Sequence, residues 1–170
     1  MTYYQAQAKQ FLTDCNATME INLIGREVPS HWQGETKHHN KYQFTITTPK
    51  GKYSGYFYDS QHNTEISDMS FADYVRKYKK RHPETVTAWE KGKLMRELAK
   101  LKAEAKPTEY DILACVEKHS YDSFSDFCAE FGYSTDSISA RETFLACGEE
   151  YAGLRRIFTE EQMEKLREIW

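Results

Sequence analysis

The chain has 170 residues, 39% hydrophobic and 29% charged, with a net charge of −3; that is enough apolar material for a buried core and argues against wholesale disorder. No apolar run reaches the roughly 18–20 residues a membrane span needs, and Met1-Thr2-Tyr3-Tyr4-Gln5 has neither the basic nor the apolar region of a secretory signal, so neither fate is expected. Cysteines 15, 115, 128 and 147 form no CxxC, and all but one sit in helical stretches beside apolar neighbours, which reads as reduced core thiols of a cytoplasmic protein and not as a disulfide or zinc framework.

In chain order, Tyr4, Ala8, Phe11, Leu12 and Cys15 trace one face of a first helix that Asn16 stops. The period then changes. Met19, Ile21 and Leu23 alternate with Glu20 and Asn22, and Tyr42, Phe44 and Ile46 alternate with Gln43, Thr45 and Thr47, as half-buried strands do. Pro49-Lys50-Gly51-Lys52 is a turn, and Tyr53–Tyr58 returns as a third strand with aromatic residues on both faces. A three-stranded antiparallel sheet backed by the first helix follows, with a long polar loop from Gly25 to Asn40.

From residue 68 the period is helical. Phe71, Tyr74, Val75 and Tyr78 give a helix that Pro83 is expected to close, although Pro83 can equally start the next one at its first turn; that next helix buries Leu94, Leu98, Leu101 and Ala105 and projects Lys93, Arg96 and Lys100 from the opposite side. Thr108 caps a helix with Ile112, Leu113 and Val116, and Asp122 or Ser123 caps one that ends at Gly132. A long helix carries Ala140, Phe144, Cys147, Tyr151, Leu154 and Phe158. Thr159-Glu160-Glu161-Gln162 then opens the last, with Met163, Leu166 and Trp170 inside. The fold class is α+β: an N-terminal helix and small sheet over 1–67, a basic helical insertion over 68–106 and an acidic helical subdomain over 107–170, packed as one compact unit.

No pattern names a reaction. His31, His38 and His39 share one loop and His62 follows the third strand, without the spacing of a metal site, so they read as surface histidines. Cys15 with His31 is one conceivable thiol–imidazole pair, yet each cysteine fits a core stripe, and neither GxSxG, GxGxxG nor GxxxxGKS/T occurs. No catalytic, metal or cofactor residues are assigned, and an enzyme is not expected.

Charge is distributed unevenly: residues 1–70 sum to −1, 71–106 to +6 and 107–170 to −8. Arg76, Lys77, Lys79, Lys80 and Arg81 put five cations in six residues at a helix end, more than the helix dipole calls for. With Lys93, Arg96 and Lys100 they read as a solvated face, as one side of an attraction to the acidic third, or as a candidate positive surface for a partner or for nucleic-acid phosphates; on the last reading charge reversal at Lys77, Lys79 and Lys80 is expected to weaken binding and spare the fold. At the other end, Glu149, Glu150, Glu160, Glu161, Glu164 and Glu168 read first as a solvated helix surface and second as a local phosphate mimic.

Pro107-Thr108-Glu109-Tyr110-Asp111-Ile112-Leu113-Ala114-Cys115, followed by Phe124-x-Asp126-Phe127-Cys128-x-Glu130-Phe131-Gly132-Tyr133-x-Thr135-Asp136-Ser137, resembles a largely uncharacterised family of small tailed-phage and prophage proteins. The likeness is good over 107–170 and weak over 5–58. It departs in the basic middle, which is longer here than the usual connector, and it carries no catalytic residues over. What it implies is a phage accessory protein of the host cell cytoplasm that inhibits a host protein or ribonucleoprotein defence complex, of anti-CRISPR or antirestriction type, by stoichiometric binding. The runner-up is a nucleic-acid-binding phage protein that uses the basic helical patch; an enzyme of unrecognised class is third.

Overall fold

A computed structural model of the chain describes residues 2–29, 35–59, 66 and 69–169. Thr2 caps the first helix, α1 (Tyr3–Asp14), through a capping box with Gln5, and Asn16 ends it in the left-handed region at φ 49°. The alternating segments become β1 (Thr18–Glu27), β2 (His39–Thr48) and β3 (Gly51–Tyr58), an antiparallel sheet in the order β1-β2-β3. β1 and β2 run further into the expected Gly25–Asn40 loop than the alternation predicts, and β3 already starts at Gly51 within the expected turn. In β1 the cause is a bulge: Leu23 pairs with Tyr42 but Gly25 with Lys41, so Ile24 is extra and the strand continues to Glu27 with its alternation inverted.

The helices that follow are α2 (Phe71–Tyr78), α3 (Ala88–Glu104), α4 (Glu109–Lys118), α5 (Phe124–Phe131), α6 (Ile138–Ile157) and α7 (Glu160–Arg167). The fold is therefore α+β, as the periodicity predicts. Thr108 caps α4, Ser123 and not Asp122 caps α5, Gly132 ends α5 at φ 69°, and Thr159 with Gln162 forms the capping box of α7. Trp170 lies outside the described residues, as do His31 and His62.

The chain divides into two units, residues 1–58 with 107–170, and residues 59–106. In the first unit the sheet is backed by more than α1. Phe44 and Ile46 of β2 share a core with Phe11 of α1, Ile112 of α4, Leu154 of α6 and Leu166 of α7. The Thr48 hydroxyl at the end of β2 donates to the Ile157 carbonyl at 2.9 Å and ties the β2–β3 turn to α6. A second cluster forms where Phe127 and Cys128 of α5 meet Ala140 of α6 among the rings of Phe124, Phe131, Tyr133 and Phe144. Phe127 and Phe131 lie 4.9 Å apart, centroid to centroid.

The second unit is a helical hairpin. Tyr74 and Val75 of α2 pack on Leu94 and Leu98 of α3, with Met69 also buried. Pro83 does not close α2. That helix ends at Tyr78, because Lys80 turns into the left-handed region at φ 51°, and Pro83 instead starts a single 3-10 turn, Pro83–Thr85, ahead of the Thr87 cap of α3. Tyr78, expected inside, is 45% exposed and stacks on Tyr74.

Candidate interaction surface

The cations singled out by sequence all fall in the hairpin, but their surroundings differ. Arg76 pairs with Asp73 one turn earlier, Nη1 to Oδ1 at 3.2 Å. Lys79 Nζ sits 2.8 Å from Glu97 Oε2, and the Tyr74 hydroxyl donates to the same oxygen at 3.0 Å. Arg81 Nη2 sits 2.7 Å from Glu90 Oε2, an atom that also accepts the Thr87 amide in the capping box of α3. Lys79 and Arg81 thus hold the end of α2 onto α3. Hydrogen bonds from them keep the Glu97 and Glu90 carboxyls below their ordinary range, and Glu97 raises Lys79 in return. Charge reversal at Lys79 would set a carboxylate against Glu97, so some cost to the stability of the hairpin is expected from that change. Lys77 lies 6.0 Å from the ring of its neighbour Tyr78.

A different set faces outward. Among the described residues Lys80, Lys93 and Arg96 make no ion pair, and Lys100 only approaches Glu104, at 4.0 Å with its side chain 79% exposed. Lys93, Arg96 and Lys100 fall within about 60° on α3, opposite the buried Leu94 and Leu98. Trp89, 79% exposed, stands one turn before Lys93 on the same line. It was absent from the residues picked out by charge alone, although the spacing 89, 93, 96, 100 repeats the 4, 3, 4 pattern of 94, 98, 101, 105. Beside this ridge lies a cleft of about 250 Å³, lined by Trp89, Lys93 and Leu94 and by Lys79 and Arg81 across from them.

Lys80 adds a cost that packing does not explain. A residue with a Cβ in the left-handed region loses roughly 1 kcal/mol relative to glycine. Lys80→Gly is expected to raise the stability of the hairpin by about that amount, read from the urea midpoint at unchanged slope.

The described histidines and thiols differ in their surroundings, while His31, the partner considered for Cys15, lies outside the described residues. His38 is exposed, but His39 is not a surface histidine: it opens β2 with 1% exposure, its Nε2 3.0 Å from Glu35 Oε2. Among the described residues no group of three or more His, Cys, Asp or Glu side chains is placed to hold a metal ion. Cys15 is buried, and burial raises its thiol pKa. The sequence did not single out Cys115 and His119, which do meet. The His119 Nδ1 lies 2.7 Å from the Cys115 carbonyl and 3.6 Å from its sulfur, so Nδ1–H donates to the backbone and no imidazole base faces the thiol. Burial pushes Cys115 and Cys147 up to about 12, a state opposite to that of a reactive thiolate.

The acidic third is also uneven. Glu160 pairs with Arg155 at 2.7 Å and Glu161 with Lys165 at 2.9 Å on the surface. Glu150 does not join them as a solvated charge. It is half-buried near Tyr53, Cys115 and Cys147, and desolvation pushes its carboxyl up to about 7. Among the described residues no helix is long and apolar enough to cross a membrane. Set against known protein families, curated proteins and solved structures, the chain matches none.

Proposed function

We propose that this chain is a non-enzymatic binding protein that inhibits a nucleic-acid-targeting host defence complex, of anti-CRISPR or antirestriction type, by stoichiometric contact through the outer face of α3. The class of target comes from the likeness of residues 107–170 to phage proteins, and the host cytoplasm goes with it. What supports the choice of surface is the placement of Lys93, Arg96 and Lys100, which project together from α3 while Arg76, Lys79 and Arg81 are taken up in ion pairs. Cations held in intramolecular pairs have little left for a partner, whereas exposed ones on one helix face steer and orient an anionic partner.

The test uses cells that carry a defined CRISPR–Cas or restriction system, express the chain and receive a plasmid that the system targets. Protection of the plasmid is expected, and the combined change Lys93→Gln, Arg96→Gln and Lys100→Gln is expected to abolish it. Glutamine keeps helix propensity and avoids new like-charge neighbours on α3. At 1.4 kcal/mol per tenfold, three lost charge contacts weaken the isolated complex by roughly a hundredfold or more. Circular dichroism and the thermal midpoint of the variant should match those of the parent. Lack of protection across the major classes of such systems overturns the inhibitor reading.

A further inference from the structure

We infer that the ridge Trp89–Lys93–Arg96–Lys100 with its adjoining cleft binds a single strand of nucleic acid, the indole stacking on a base and the cations following the phosphates. This rests on the reading above that the outer face of α3 is the working surface, and it names the chemistry of what that surface touches.

Three features of the ridge point to a strand. First, an indole that is 79% exposed on the second residue of a well-capped helix contributes nothing to the hairpin core, which consists of Tyr74, Val75, Leu94, Leu98 and Met69. Its open face is free to take a planar group. Second, the cations lie in line with it. From residue 89 to residue 100 the helix rises about 16 Å, with a cation at each step of three or four residues. Arg96 folds back along the helix, because a Cβ built on Gly92 would lie 3.7 Å from its Nη1 with nothing closer. The guanidinium therefore approaches the turn that bears Lys93 and Trp89. Third, the two carboxylates in the cleft, Glu90 and Glu97, are already held by Arg81 and Lys79 at 2.7 and 2.8 Å, so the repulsion they offer a phosphate is reduced.

A protein partner is the other class of occupant, and the composition of the ridge favours it less. Protein interfaces place several apolar side chains at the centre and charges at the rim. Here one aromatic ring stands among cations, and the residues alongside, Gly92, Ala99 and Ala103, offer little apolar area, while the half-exposed Met95 lies further round the helix. A basic track with an aromatic platform is instead the recurrent form of single-strand sites. Duplex fits less well, because its base faces are stacked on each other and closed to the indole.

The experiment titrates the full chain with a 15-nucleotide oligo-dT and with a 15-base-pair duplex, following anisotropy of labelled DNA and tryptophan emission. Because Trp32 and Trp170 also emit, the quench is read as the difference between the parent and Trp89→Phe. The single strand is expected to bind more tightly than duplex, with log K falling against log salt at a slope of about −2 for three phosphate contacts. Trp89→Ala should weaken it about tenfold, and Trp89→Phe, which keeps an aromatic face, much less. Equal affinity of Trp89→Ala and parent, preference for duplex, or no binding at low salt overturns the inference. Failure here combined with loss of plasmid protection in the three-glutamine variant means that the surface meets a protein, and the inhibitor reading survives. Strand binding as described without plasmid protection leaves the site in place and removes the inhibitor reading.

Discussion

Replacing Gly153 by alanine is expected to destabilise the first unit by about 2–3 kcal/mol, the size of an overpacked core, although alanine is the better helix former by about 1 kcal/mol. Gly153 is buried in the last turns of α6, where that helix crosses β3. A Cβ there would fall 2.1 Å from Cε2 and 2.4 Å from Cζ of Tyr53, far inside van der Waals contact with the ring. The ring has little room to retreat. It is half-buried against Phe44, centroids 6.0 Å apart, and burial also pushes its hydroxyl up to about 12. For a chain of this length each kcal/mol moves the thermal midpoint by about 2–4 °C, so a fall of roughly 5–10 °C is expected by calorimetry. Combining the change with Tyr53→Leu should recover part of the loss, since the two side chains compete for one space. An alanine variant as stable as the parent would show that α6 and β3 do not meet this closely.

The second large effect concerns pH. The Glu150 carboxyl, ordinarily near 4.5, is raised to about 7 by burial. Between those values the folded chain holds a proton that the unfolded chain has released. The stabilisation from that proton is complete below about 4.5, declines as pH rises through 7, and is gone above it. At about 1.4 kcal/mol per pH unit the loss between pH 5 and pH 8 amounts to about 3 kcal/mol. Burial is the cause of the rise. Cys115 and Cys147, at about 12, stay neutral throughout, and so does the Tyr53 phenol. Glu150→Gln should therefore be the more stable protein at pH 8 and about equal to the parent at pH 5, measured by urea unfolding at both. Taking the difference between the two chains cancels the histidines, which titrate in the same window. The carboxylates held low by cations, such as Glu90, Glu97 and Glu160, act in the opposite sense and only in more acid solution. Parallel pH curves for the two chains would mean that Glu150 is solvated.

Both effects arise from contacts between segments far apart in the chain, and the same distinction decides what could be read from the residues. Helix starts at Thr108 and Thr159 and the helix end at Gly132 were legible, because a cap is made by a side chain or backbone angle within three residues of the atoms it satisfies. The alternation in β2 and the first half of β1 was legible for the same local reason. It failed at Ile24, where one extra residue inverts the pattern, and it hid the rest of the strand. Pro83 drew attention as a helix stop, yet the turn at Lys80 comes first, and no residue type announces a lysine at positive φ.

Charge and spacing pick out eight candidate cations but could not sort them by their partners. Sorting requires knowing that Glu97 faces Lys79 and Glu90 faces Arg81, which follows only when α2 folds back on α3. Trp89 was within reach of the residues alone, since it completes the 4, 3, 4 spacing of the ridge; an aromatic residue on a helix reads as core until the opposite face is seen to be full. His39 went the other way, from an expected surface position to a buried strand end beside Glu35.

Fold class, the succession of helices and strands, most caps and the concentration of positive charge in 71–106 follow from the order of residues, because each depends on periodicity, torsional preference or composition over a few turns of chain. The pairing of each cation, the ring space that Gly153 leaves for Tyr53, the protonated state of Glu150 and the exposure of Trp89 depend on distances between atoms that the backbone brings together from separate elements. Burial and Coulomb energy change steeply over a few ångströms, and separation along the chain does not fix separation in space.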